Sequence, residues 1–503
     1  MLIPSKRICC DTHFCFSGLG RMDLLKELGG SSEKWFLPTS ELLKKGWLNL
    51  RIIIVGAGEV GFHIAQRLAY EHKEVVVIDK RAEALRRFAE LLDVQIIQGS
   101  GSSPSVLEES GIRGADTFLA VTDSDETNLV ACLFANALEP GIVKLARIRD
   151  EDYTRHWPEL VQKSLDIHTV INPEVEVVKT IEKSLTVPDA EHVSDFAEGR
   201  IKLVGLRIGA SSPIVGIRLQ DLRQKTGELR FLIAAIFRNE RLIIPGGRDR
   251  IRAEDLVYFV CESEELNEVL KIFGSKADPI RNILIVGGGN IGMRLALELE
   301  GRQYHIRLIE QEMDRCNFLA EKLNSTIVLH GDGTDRELLE EENIRDIDVA
   351  ISLTGNEEAN VLSSLLARSL GARRTMTRIN KFHYMPIIGA IGLGQIVSPR
   401  LSAINSIILH VRKGKVLSAV SLKGEEAEVL EAVALESSGI VGTPLKDLRF
   451  PKGAIVLAIL RDEKSIIPDG ESVVHPGDRV VILSTRQNIP RVERELMVKL
   501  EYF

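Results

Sequence analysis

The chain restates itself at long range. The segment "RIIIVGAGEVGFHIAQRLAYEHKEVVVID", Arg51 to Asp79, returns as "RNILIVGGGNIGMRLALELEGRQYHIRLIE", Arg281 to Glu310. Gly287, Gly289 and Gly292 fall 231 positions after Gly56, Gly58 and Gly61, and Glu310 falls 231 after Asp79. A repeat at fixed spacing restricts the fold severely, because whatever architecture one copy builds the other must build as well. The correspondence runs on. "VQIIQGSGSSPSVLEESGI" answers "STIVLHGDGTDRELLEEENI", "DTFLAVTDSDETN" answers "DVAISLTGNEEAN", and "LARIRDEDY" answers "MTRINKFHY". In each copy apolar β-branched runs alternate with helix-like segments, the pattern of a doubly wound parallel sheet.

A second kind of unit follows each of these. "GIRLQDL" (Gly216 to Leu222) answers "GTPLKDL" (Gly442 to Leu448), and "IIPGGRDRIRAEDLVYFV" answers "IIPDGESVVHPGDRVVIL". Short alternating runs broken by Pro-Gly turns predict a small β-rich module. The expected fold class is therefore α/β: two doubly wound parallel-sheet, Rossmann-like domains, each followed by a small β-rich α/β domain. The expected division is 50–172, 173–278, 279–400 and 401–503, with a crossover helix opening the second and fourth parts. Residues 1–49 have no counterpart later and are expected to be a poorly ordered leader.

Composition narrows the functions open to such a chain. At 503 residues it exceeds what one core usually serves. A net charge of −8 provides no broad cationic face, so nucleic acid is not an expected partner. The longest apolar candidate for a membrane span, Ile387 to Val397, is short and holds three glycines. The first residues have no signal-peptide pattern, and six cysteines without a framework fit a reducing compartment. Cys9, Cys10, His13 and Cys15 are crowded, yet structural zinc sites usually draw on two separated ligand pairs. No metal site and no catalytic residue is expected.

The glycine motif carries the chemistry. Gly56 permits the turn leaving the strand, Gly58 lets backbone approach a pyrophosphate, and Gly61 lets the helix pack on the sheet. The helix then points unpaired N–H groups at the phosphates. Asp79, 18 residues beyond Gly61, is placed to accept from ribose hydroxyls, which favours NAD(H) or adenosine nucleotides over a 2′-phosphate. Lys80 and Arg81 temper that preference. The second copy offers Asp332 where the first has Ser100, so the two sites are expected to differ. Thr122 is open to two readings, ligand contact or turn former, and Arg147 to phosphate contact or an ion pair. His63 is expected to be packed or solvated, not a general base. Neither β-rich unit presents an acid or base for hydride transfer, so the dinucleotide reads as a signal.

The segments "IIIVGAGEVG", "QGSGSSPSVLEESG", "AVTDSDETNLVAC", "ARIRDEDY", "ILIVGGGNIG" and "HGDGTDRELL" together resemble the TrkA family, regulatory subunits of Trk potassium-uptake systems, whose units are called RCK or KTN domains. The resemblance spans Leu50 to about Val492. It implies tandem RCK-N and RCK-C domains without catalysis, binding NAD(H) and ATP or ADP. It also implies a homo-oligomeric tetrameric ring, docked at the inner face of the cell membrane on a potassium-translocating subunit of the TrkH/TrkG kind. Carried over residue by residue, Gly56, Ala57, Gly58, Glu59, Val60, Asp79, Thr122, Asp123 and Arg147 would line the first site. Gly287, Gly288, Gly289, Asn290, Ile291, Glu310 and Asp332 would line the second. The competing expectations are a soluble NAD-dependent oxidoreductase and a gating protein of another cation channel or exchanger.

Overall fold

The computed structural model describes residues 50–496 apart from 154–163, 188, 226, 228, 240, 276–278, 385–386, 389–390, 392, 412–415, 423–425 and 463. The expected leader, 1–49, with its Cys9, Cys10, His13 and Cys15, lies outside the described residues.

Apolar runs buried on both faces build the first sheet. Its strands are β1 (Arg51–Val55), β2 (Glu74–Asp79), β3 (Gln95–Gln98), β4 (Thr117–Ala120), β5 (Val143–Arg147) and β6 (Thr169–Ile171). They pair in the order β3-β2-β1-β4-β5-β6, every pair parallel. This is the doubly wound order whose reversal point, between β1 and β4, opens a crevice at the carboxyl ends of the strands. Helices α1 (Glu59–Tyr70), α2 (Ala82–Leu91), α3 (Pro104–Glu109) and α4 (Asp125–Leu138) make the crossovers. Ser124 caps α4 by accepting from the Thr127 N–H at 3.1 Å, and two carboxylates in the first turn suit the helix dipole.

Helix α5 (Pro173–Leu185) leaves this sheet, capped by Asn172 and carrying proline at its start. A five-stranded antiparallel sheet follows, made of β7 (Ala190–Phe196), β8 (Ile201–Arg207), β9 (Phe231–Arg238), β10 (Arg241–Ile243) and β11 (Leu256–Glu262), with helices α6 (Leu219–Lys225) and α7 (Leu266–Ile272). Its order is β10-β9-β11-β8-β7.

The second copy repeats the plan. Strands β12 (Asn282–Val286), β13 (His305–Glu310), β14 (Ile327–His330), β15 (Val349–Ser352), β16 (Arg374–Arg378) and β17 (Gln395–Val397) form a parallel sheet of order β14-β13-β12-β15-β16-β17. Its crossover helices are α8 (Asn290–Glu300), α9 (Met313–Lys322), α10 (Arg336–Glu341) and α11 (Glu357–Leu370). Helix α12 (Pro399–Val411) leads to β18 (Val416–Ser421), β19 (Ala427–Val433), β20 (Ala454–Arg461), β21 (Lys464–Ile466) and β22 (Arg479–Thr485), paired β18-β19-β22-β20-β21, and then to α13 (Ile489–Leu496).

The two copies are interlocked through their connecting helices. Val177, Val178, Ile181 and Leu185 of α5 enter the core that Ile291, Leu295 and Leu299 of α8 form with the second parallel sheet. In the reciprocal arrangement α12 packs on α1, and α5 and α12 pack on each other. The two β-rich modules share a core as well, with Leu203, Phe237 and Tyr258 of one meeting Val429, Leu457 and Leu483 of the other. Arg67 on α1 joins these layers: it donates to Glu428 of β19, to Ser421 at 2.8 Å and to Asn405 of α12 at 3.3 Å.

Candidate functional site

At the carboxyl end of β1 the chain must reverse direction within three residues and start a helix. Gly56 meets this with φ +117°, a conformation that L side chains rarely adopt. A Cβ at Gly61 would stand 1.9 Å from the Gly56 carbonyl oxygen, so the helix seats against the loop only because that position has no side chain. Around Gly58 there is open space to 4 Å, on the side where a ligand would lie. The second copy reproduces each feature: Gly287 has φ +105°, a Cβ at Gly292 would stand 2.0 Å from the Gly287 oxygen, and Gly289 faces open space.

Asp79 holds the loop from the neighbouring strand. One carboxylate oxygen accepts from the Ala57 N–H at 2.7 Å, and the other from the Arg81 N–H at 2.9 Å. Burial pushes the Asp79 carboxyl up, but these N–H groups and the Arg81 guanidinium outweigh it and hold the pKa below the usual carboxylate range. Glu310 holds its own glycine loop with one more methylene: it accepts from the Gly288 N–H at 2.7 Å and from the N–H groups of Gln311 and Glu312 at 2.8 and 3.0 Å. The acidic residue is thus structural before any ligand arrives, fixing the glycine loop to β2 or β13.

Across the crevice, Thr122 and Thr354 stand two residues beyond the ends of β4 and β15. The Thr122 hydroxyl donates to Asn128 Oδ1 at 2.7 Å, and the Asn128 amide reaches the backbone carbonyls of Thr122 and Arg147 at 3.1 and 2.8 Å. Thr354, Asn360 and Arg378 repeat this. The Thr122 hydroxyl is thereby tied to its own loop. Arg147 pairs with Asp123 at 2.8 Å on the rim.

In the second copy these parts enclose a cavity of about 900 Å³. Gly287, Gly289, Asn290, Ile291, Glu310 and Asp332 all line it, with Thr354 and Arg378. Gly288 is not part of the lining; its Cβ position is crowded by Leu319, and its N–H is engaged by Glu310. Asp332 accepts from both the N–H and the hydroxyl of Thr334 at 2.8 Å, which fixes the loop after β14. In the first copy Ser100 bonds instead to Ser102 Oγ at 2.9 Å, a neutral contact in place of a charged one.

One lining residue was not foreseeable from the motif. Glu174, near the start of α5 in the first half, lines the cavity of the second half and hydrogen-bonds the Asn290 side chain. Burial raises its pKa above the usual carboxylate value, against the opposing pull of Asn290, Arg378, Arg149 and Arg147. The only available signal was the duplicate register, which puts Arg400 where the first half has Glu174.

The two units also touch through equivalent positions. His63 on α1 packs on Phe382 with ring centroids 4.0 Å apart, and its counterpart Arg294 on α8 pairs with Glu151, the counterpart of Phe382. His63 is thus packed, with Glu59 3.7 Å away.

Sheet order, glycine turn and acidic strand end define a protein with two dinucleotide-type Rossmann units in tandem, each continued by a β-rich module. The TrkA-N domain family matches residues 52–173 and 283–399, and the TrkA-C domain family matches 203–274 and 429–497. A Trk system potassium uptake protein TrkA from Azorhizobium caulinodans is 37% identical over 458 residues, 90% of this chain and 100% of that protein. One from Halomonas elongata is 36% identical over 458 residues, again 90% of this chain and 100% of that protein. The chain belongs to the TrkA family of Trk potassium uptake proteins. Among solved structures, the GsuK RCK domain superposes with a TM-score of 0.55 at 18% identity, covering 88% of this chain and 95% of that one. The GsuK channel bound to NAD gives 0.55 at 17% identity, covering 89% and 79%. At such identity the likeness is one of fold.

Proposed function

We propose that the chain is a regulatory subunit that binds NAD(H), and ATP or ADP, in its two Rossmann crevices and thereby gates a membrane-embedded potassium-translocating subunit of the TrkH/TrkG kind. The observation that carries this is the interlocking of the crevices: the wall of the second includes Glu174 from the helix that connects the first Rossmann unit to its β-rich module. A nucleotide there meets both halves at once. A ligand shifts a conformational equilibrium only by its differential affinity for the two states, and a crevice shared between halves supplies such a difference.

In this reading Gly56 to Val60, Asp79, Thr122, Asp123 and Arg147 serve the first nucleotide, and Gly287 to Ile291, Glu310 and Asp332 the second. The working units are 50–172, 173–278, 279–400 and 401–503, four chains close into a ring, and the ring sits peripherally on the cytoplasmic face of the membrane. The family membership supports the potassium-uptake role, and the NAD carried by the GsuK channel supports the nucleotide. Two measurements test it. Calorimetry of the full chain with NADH, ADP and ATP should give saturable binding, and reconstitution with its membrane partner should give potassium flux that depends on nucleotide. Flux indifferent to all three nucleotides would refute gating.

A further inference from the structure

The first β-rich module carries a recess lined by arginines. It has a volume of about 460 Å³ and lies between the loop at Gly216 and the stretch preceding β11, where Arg248, Arg250 and Arg252 line it together with Arg238. Arg238 is neutralised by Asp255, with which it makes two hydrogen bonds at 2.8 and 2.7 Å. The other three guanidiniums are exposed. Among the described residues no carboxylate pairs with them; Arg250 donates to the Gly216 carbonyl, and Asp249, the nearby acid, is turned to the Gly246 N–H at 2.8 Å.

Apart from the Arg250 donation to Gly216, the side chains of these arginines do not build the loop. In the second module the same backbone is held by the same bonds. The Gly216 N–H donates to the Ile251 carbonyl at 2.8 Å, as Gly442 does to Val474 at 3.0 Å. Arg238 reaches the Arg250 carbonyl at 2.8 Å, as Arg461 reaches that of Val473 at 2.7 Å. The N–H of Arg252 donates to Asp255 at 2.8 Å, as that of His475 does to Asp478. Yet the residues standing for Arg248, Arg250 and Arg252 there are Glu471, Val473 and His475. One copy therefore concentrates three cations that its scaffold does not need, in a chain whose net charge is −8. Three arginines lining one small recess offer it planar guanidinium donors, the groups that match the oxygens of a phosphate.

We propose that this recess is a binding site for a phosphate-bearing small molecule, held by Arg248, Arg250 and Arg252. It lies on the side of the sheet where Ile214, Ile236 and Ile251 form the module's own core, away from the shared core between modules. None of its lining residues lines the second Rossmann crevice.

The test is calorimetric titration of inorganic pyrophosphate into the full chain, with NADH present in excess. The comparison protein carries Arg248→Glu, Arg250→Val and Arg252→His, the residues its own duplicate uses on the same backbone. The wild type should show a binding event that weakens at least about tenfold for each guanidinium removed. A milder protein with Arg248→Gln and Arg252→Gln, which removes no side-chain hydrogen bond of the described structure, should show an intermediate loss with an unchanged melting temperature. Identical isotherms for all three proteins overturn the proposal. So does sedimentation of the wild type with phosphatidylglycerol vesicles that excess pyrophosphate fails to release, since the arginines would then serve a lipid surface. The comparison stands even if NADH does not bind, because it reads only the difference between proteins.

Discussion

The second and third glycines of each loop should fail in different ways when each is changed to alanine. At Gly58 and Gly289 the added Cβ meets open space, and backbone φ values of −79° and −63° suit any residue. Folding should therefore change by no more than about 0.5–1 kcal/mol, with either sign. The methyl group would nevertheless stand where a pyrophosphate must approach the backbone. Losing that approach should weaken NADH by about 10- to 100-fold, or roughly 1.4 to 2.8 kcal/mol. At Gly61 and Gly292 the order reverses. The Cβ would lie 1.9 or 2.0 Å from a carbonyl oxygen, more than 1 Å inside contact, and that oxygen belongs to the loop itself. Relief requires moving the helix off the sheet, costing at least about 1–3 kcal/mol as in other overpacked sites. Each change should be made in both copies, so that an intact crevice does not mask the other. Calorimetry with NADH and differential scanning calorimetry of the same samples give the two readings. If Gly58→Ala with Gly289→Ala melts like the wild type and binds NADH with unchanged affinity, the loop is not the phosphate cradle.

Further outcomes follow from other groups. Arg67 and Glu428 pair with side chains only 6% and 2% exposed, so Glu428→Gln alone should destabilise by about 3–5 kcal/mol. Arg67→Met with Glu428→Leu should recover most of that in the same calorimetric scans, and no recovery would show the pair is not the cause. Glu174 ionises above the usual carboxylate range, and its charge opposes an anionic ligand in the second crevice. Nucleotide affinity there should rise as pH falls through that raised pKa, and Glu174→Gln should flatten the dependence; a profile unaltered by the substitution would refute the repulsion. Burial pushes the thiols of Cys132 and Cys261 up to about 12, so neither should be alkylated at pH 8 before unfolding, as read by peptide mass spectrometry. Labelling of native protein at the denatured rate would contradict their burial.

Much of this molecule was decided locally and was therefore readable in the sequence. A glycine needed for a positive φ acts within its own turn, and the aspartate that ends the next strand of a parallel pair, 22 positions beyond Ala57, comes back beside it. Their spacing announces them, and the repeat at 231 doubles the signal. The parallel sheets follow because apolar runs joined by helices can cover both faces in few other ways. What the sequence did not disclose is how the copies meet. Glu174 reaches a crevice whose glycines lie more than 100 positions later, and Arg67 meets a carboxylate 361 positions away. Such contacts arise when two amphipathic helices exchange sides to bury their apolar stripes, and nothing along the chain marks the partner. Likewise "GGRDRIRAED" reads alone as a solvated charged turn. Only the folded duplicate, making the same backbone bonds with Glu471, Val473 and His475 in place of the arginines, shows that the loop forms without those charges.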